Sequence, residues 1–267
     1  MGGHKDQGGG GRAVGDSSVV SGPATPPSAP PRPPATAPPA TPSAVRPGTR
    51  LRQTLVVVLA VASGATDAIG LLALGGAFTS VMTGNLVILG VSASSADGTL
   101  ALASGGAILA FCLGAALGAR LAGSPQPGDP VWPRAVTLGL VVELVLVAGY
   151  AAGWWVTGGE PGAALTLLLL GCMSAAMGVQ SSVVQRFGVP GLSTTYLTGT
   201  LTTVVMRLVG GRGVRDVQHS LEILAGLVAG AAAGAGLLLL APLAAPVLQL
   251  AGLGGVVAVA ALVAPRR

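Results

Sequence analysis

The chain has 267 residues, of which 51% are hydrophobic and only 9% charged, with a mean hydropathy of +0.75. A soluble domain carries roughly 25% charged residues, so this chain lacks the charge to cover a water-exposed surface and reads as an integral membrane protein. The net charge of +5 does not point to nucleic acid, because the basic residues lie between apolar segments and in the tails, where they set membrane orientation.

Residues 1–50 stand apart. They hold 11 of the 20 prolines, in runs such as Pro30-Pro31-Arg32-Pro33-Pro34. Such a stretch can bury little, so a disordered, partly polyproline cytoplasmic tail is expected. It lacks the apolar core and small-residue cleavage site of a secretory signal. Its richness in Ser and Ala and poverty in acid leave an organelle transit peptide as the alternative.

Eight apolar stretches follow, at 54–75, 77–93, 99–122, 135–156, 162–184, 189–209, 221–241 and 246–264. Crossing a bilayer takes about 20 apolar residues. The second and sixth stretches are too polar for ordinary spans. The second carries Thr79, Ser80, Thr83, Gly84 and Asn85 in close succession. The sixth begins at Pro190-Gly191 and carries Ser193, Thr194, Thr195, Thr198, Gly199, Thr200, Thr202 and Thr203.

Charge separates two threadings. If all eight stretches cross, Arg120, Arg134 and Arg186 fall outside. If the second and sixth enter and leave by one face, all 14 Lys and Arg lie inside, with Asp97 and Glu160 outside. The positive-inside rule favours the second threading. The expected fold is therefore an all-α integral membrane protein. It has six spanning helices plus two short broken or re-entrant segments in two inverted repeats, residues 51–158 and 159–267. Eight full spans in parallel repeats are the alternative.

The repeat rests on ordered matches. Val81-Met82-Thr83-Gly84-Asn85-Leu86 returns as Tyr196-Leu197-Thr198-Gly199-Thr200-Leu201. Gly64-Ala65-Thr66-Asp67 aligns with Gly178-Val179-Gln180-Ser181, and Gly114 to Ala119 with Gly230 to Ala235. Three crossings per half would set the second half upside down. Inverted repeats with discontinuous helices at their interface recur among transporters. The Gly114/Gly118 and Gly230/Gly234 pairs let helix backbones approach closely, either between the halves or in a homo-oligomer.

Two carboxylates lie inside apolar stretches, Asp67 and Glu143. A charge at the bilayer centre costs about 2.5–3.5 kcal/mol on insertion scales. Either residue could couple transport to a proton or cation. Asp67 could instead cap the broken segment by accepting from freed backbone N–H groups. Glu143 could instead bond a neighbouring helix as a neutral carboxyl. Non-helical backbone at membrane depth survives only when buried in protein or lining a cavity. The expected solute-binding residues are therefore Asp67, Thr83, Gly84, Asn85, Gln180, Thr195, Thr198, Gly199 and Thr200.

An enzyme reading lacks parts. His4 lies in the tail, and His219 lies in a basic loop with Asp216 and Glu222. No His or Cys cluster has metal spacing, and no cofactor motif is present. Cys112 and Cys172 read as small buried apolar residues. Trp132, Trp154 and Trp155 read as interfacial anchors.

The runs Gly64-Ala65-Thr66-Asp67-Ala68-Ile69-Gly70, Phe78 with Met82-Thr83-Gly84-Asn85-Leu86, Phe111-x-x-Gly114, and Thr194 to Thr202 together resemble the YoaK family. The resemblance covers residues 52–264. It implies about six spans in a bacterial inner membrane and supplies no substrate. The expected function is a transporter for a small polar solute held between the two Thr-Gly segments. A non-transporting scaffold or partner subunit is the alternative.

Overall fold

The computed structural model describes residues 47–124, 132–186 and 197–263. The proline-rich residues 1–46, and Thr195 among the expected site residues, lie outside the described residues. Helices α1 (Pro47–Ala73), α2 (Met82–Ser95), α3 (Gly98–Ala122) and α4 (Arg134–Val156) come from the first half. Helices α5 (Ala163–Gln185), α6 (Leu197–Val209), α7 (Val214–Leu240) and α8 (Ala245–Val263) come from the second. A single 3₁₀ turn, Pro242–Ala244, precedes α8. There is no strand among the described residues.

Helices α1, α3, α4, α5, α7 and α8 are long and apolar enough to cross a membrane. Helices α2 and α6 have 14 and 13 residues, about 21 and 20 Å at 1.5 Å per residue. That falls short of a hydrocarbon core about 30 Å thick. Leu109 and Leu113 on α3 are 68% and 73% exposed, and Leu239 on α7 is 77% exposed. Large apolar side chains bared along long helices have no place in water and fit lipid. The chain is a polytopic α-helical membrane protein.

Several expected boundaries are corrected. Helix α1 already includes Pro47–Arg50, because proline is tolerated in a helix's first turn, where its missing N–H removes no bond. Helix α7 starts at Val214, so Asp216, His219 and Glu222 lie on its first turns, not in a loop. An acidic side chain there suits the helix dipole, and Gln218 Nε2 donates to Glu222 Oε1 at 2.8 Å. Cys112 is exposed on α3. Trp132 and Trp154 are buried inside the protein. Trp154 and Trp155 donate to the carbonyls of Pro242 and Leu243 at 2.9 and 2.8 Å, tying the end of α4 to the turn before α8.

The closest helix packing runs between the halves. Helix α3 lies on α5, and α1 lies on α7. A Cβ on Gly114 would overlap the Ala175 carbonyl, one on Gly118 would strike Val179, and one on Gly178 would strike the Phe111 carbonyl. In the other seam, Gly230 lies against Val61, Gly234 against Ala65, and Gly64 against the Leu227 carbonyl. Missing side chains thus set both distances. Both glycine pairs are packed against helices of the same chain.

Candidate functional site

Helix α1 ends at Ala73, and the chain then runs irregularly through residues 74–81 before α2 begins. Gly75 and Gly76 take φ of +98° and +78°, a region glycine enters at little cost. Gly70 lets this segment lie flat on α1, since a Cβ there would come within 2.8 Å of the Ala77 carbonyl and 2.9 Å of Thr79 Cγ2. Leu74, Ala77, Thr79 and Ser80 are buried, so the freed backbone groups need partners.

Asp67 supplies them. Its Oδ1 accepts from Thr79 N at 2.8 Å, Thr79 Oγ1 at 2.9 Å and Ser80 N at 2.7 Å. Its Oδ2 accepts from Ser80 Oγ at 2.6 Å. Asn85 completes the clamp from α2. Its Nδ2 donates to Phe78 O at 2.7 Å, and its Oδ1 accepts from Phe78 N at 2.8 Å. The Phe78 ring lies over Gly84, where a Cβ would come within 3.1 Å of it. Three of the expected binding residues, Asp67, Gly84 and Asn85, thus hold the broken segment in shape.

Next to this segment is a cavity of about 480 Å³. Its first wall is Ser80, Val81, Met82 and Thr83, the start of the first Thr-Gly run. Its second is Leu197 and Thr198, the start of the other run. Ser181, Ser182 and Gln185 on α5, Phe111 and Ala115 on α3, and Leu227 on α7 close the sides. Ser182 Oγ donates to the Ala115 carbonyl at 2.8 Å. Ser181 is 4% exposed, and its Oγ has no hydrogen bond among the described residues.

Of the expected residues, Thr83 and Thr198 reach the cavity, and Asp67 stands one residue behind it through Ser80. Gln180 and Thr200 are buried nearby but do not line it. Gly199 faces open space, unlike Gly84. Glu143 lies elsewhere, 1% exposed on α4, and its Oε2 has no partner among the described residues. Sequence reasoning missed Ser80, Ser182 and Gln185 as lining residues. Ser181 carried a signal, because it aligns with Asp67.

The walls correspond across the halves. Met82 and Leu197, and Thr83 and Thr198, are each 115 apart, and Phe111 and Leu227 are 116 apart. The fixings do not correspond. The positions matching Asp67 and Asn85 are Ser181 and Thr200, so the second half has neither the carboxylate nor the amide.

A family model described as "Protein of unknown function (DUF1275)" matches residues 55–261. The chain is 32% identical over 159 residues to the UPF0700 transmembrane protein YoaK of Bacillus subtilis (strain 168), a match covering 60% of this chain and 68% of that protein. No solved structure matches. With most of its length under that model, the chain belongs to the DUF1275 family of proteins of unknown function.

Proposed function

We propose that this protein is a permease for a small polar solute, with its site in the cavity between the two Thr-Gly segments. The observation that carries the reading is the cavity itself. It joins the starts of both short helices and is bordered by two exposed threonines, Thr83 and Thr198, one from each. Pockets of 300–1,000 Å³ with a few polar groups on apolar walls are the usual form of small-molecule sites. Midplane sites at discontinuous helices are a recurring transporter design.

The halves are read as inverted repeats in a bacterial plasma membrane, with cytoplasmic termini. The matched glycine seams support the repeat. The placing of every Lys and Arg on one side supports the orientation. The seams also indicate what would move. They bind α3 to α5 and α1 to α7, so the rigid units cross the halves. One unit is α2 to α5; the other is α1 with α6, α7 and α8. The cavity lies between them, and rocking one against the other about the tie that Trp154 and Trp155 make to the carbonyls of Pro242 and Leu243 would open it to either side. Asp67 and Asn85 act as positioning residues, and Glu143 is the coupling candidate. The scaffold reading loses support because its glycine faces are used internally.

The test is flux. Purified protein in proteoliposomes is exposed to osmotic gradients of small polar solutes, charged and uncharged, and swelling is followed by light scattering. Faster swelling than empty liposomes for at least one solute is expected, with loss in Ser181→Leu and Thr198→Leu, which fill the cavity. Swelling equal to empty liposomes for every solute contradicts the reading.

A further inference from the structure

We infer that the cavity takes an uncharged solute, one with hydroxyl or amide groups on one side and a carbon face on the other. This rests on the permease reading and narrows it. No Asp, Glu, Lys, Arg or His is among the described residues that line the cavity. Residues 187–196, between α5 and α6, contain no charged residue either.

The nearest carboxylate is not available to a cation. Asp67 is 6% exposed, and its two oxygens already accept four hydrogen bonds from Thr79 and Ser80. A cation would have to displace the bonds that hold the segment. What remains free is neutral. The Thr83 and Thr198 hydroxyls, both on exposed residues, can each donate or accept. Phe111, Met82 and Leu227 supply apolar wall. Such a lining can exchange hydrogen bonds with water one for one. It cannot repay the hydration of a full charge, which a low-dielectric site makes costly to lose.

The experiment uses Ser181→Cys, and separately Thr198→Cys, in the full chain with Cys112 and Cys172 replaced by alanine. Each is treated with methanethiosulfonates bearing a neutral methyl, a trimethylammonium or a sulfonate group. Rates are divided by those at Glu160→Cys, in an exposed loop. The neutral reagent is expected to react at least tenfold faster than both charged ones at whichever position yields folded protein. A charged reagent as fast as the neutral one overturns the inference and leaves the permease reading standing. Failure of all three reagents at the cavity, with the control reactive, overturns both. In the flux assay, swelling confined to a charged solute overturns the inference alone.

Discussion

The Asp67 carboxylate holds Ser80 twice. Ser80 N donates to Oδ1 at 2.7 Å, and Ser80 Oγ donates to Oδ2 at 2.6 Å. Ser80 also lines the cavity, so one carboxylate at the end of α1 sets the position of a cavity wall. Removing it leaves buried donors unpaired, which costs about 1–3 kcal/mol for each group. Asp67→Ala is therefore expected to lose about 3 kcal/mol or more of stability, read as a lower unfolding temperature in detergent. Asp67→Asn keeps one acceptor oxygen and should lose less. Equal unfolding temperatures for wild type and Asp67→Ala would contradict this role.

Asn85 makes a two-bond clamp on the Phe78 backbone. Asn85→Ala frees both groups and should cost about 1–3 kcal/mol. Asn85→Asp replaces the donor facing Phe78 O with an oxygen, so it should be the worse of the two. Thermal unfolding of the pair gives the order. A more stable Asn85→Asp would mean that the Phe78 carbonyl does not need that donor.

The two glycine seams predict matched behaviour. Gly114→Ala and Gly230→Ala each place a Cβ against a facing carbonyl. Overpacking of this kind costs about 1–3 kcal/mol, offset by up to about 1 kcal/mol of helix propensity. Gly199→Ala, with nothing within 4 Å of its Cβ, should be neutral or stabilising. A tolerated Gly114→Ala beside a damaging Gly230→Ala would break the correspondence between the halves.

Crossed rigid units can be locked without loss. A Cβ on Gly171 would lie 3.8 Å from Ala110 Cβ, inside the range of about 3.5–4.5 Å that a disulfide needs. Ala110→Cys with Gly171→Cys should oxidise to a bond between α3 and α5 and leave flux unchanged. Flux lost on oxidation and regained on reduction would mean that these helices slide during transport.

Glu143 is buried on α4 beyond the cavity. If it couples transport, Glu143→Gln removes any acceleration of flux by an imposed pH gradient while preserving folding. The measurement is swelling with and without the gradient. An acceleration that survives the substitution assigns coupling elsewhere.

Much of the architecture was legible in the sequence because membrane burial has strong signals. Long apolar runs, arginine placement and the echoed Thr-Gly runs give six long helices and two short ones. The position of the cavity followed from that echo. Its lining was less legible. Ser80, Ser182 and Gln185 are single residues with no period, and they matter only because α3, α5 and the broken segment converge there. Asn85 looked like a ligand because amides bind solutes, yet its partners are the Phe78 backbone groups seven residues back. Trp132 and Trp154 looked like lipid anchors because indoles favour interfaces, but both are buried, Trp132 just before α4 and Trp154 near its end.

The central claim is that the two Thr-Gly segments meet at the cavity from opposite membrane faces. Labelling of single cysteines in intact cells with an impermeant thiol reagent tests it most directly, using Ser17→Cys, Ser95→Cys, Ser124→Cys, Glu160→Cys and Gly213→Cys without the native cysteines. Ser95→Cys and Glu160→Cys should label from outside, and Ser124→Cys only after permeabilisation. Ser17→Cys and Gly213→Cys should likewise label only after permeabilisation. Ser95→Cys on the same side as Ser17→Cys, together with Glu160→Cys on the same side as Gly213→Cys, would contradict the inverted halves and require eight full spans.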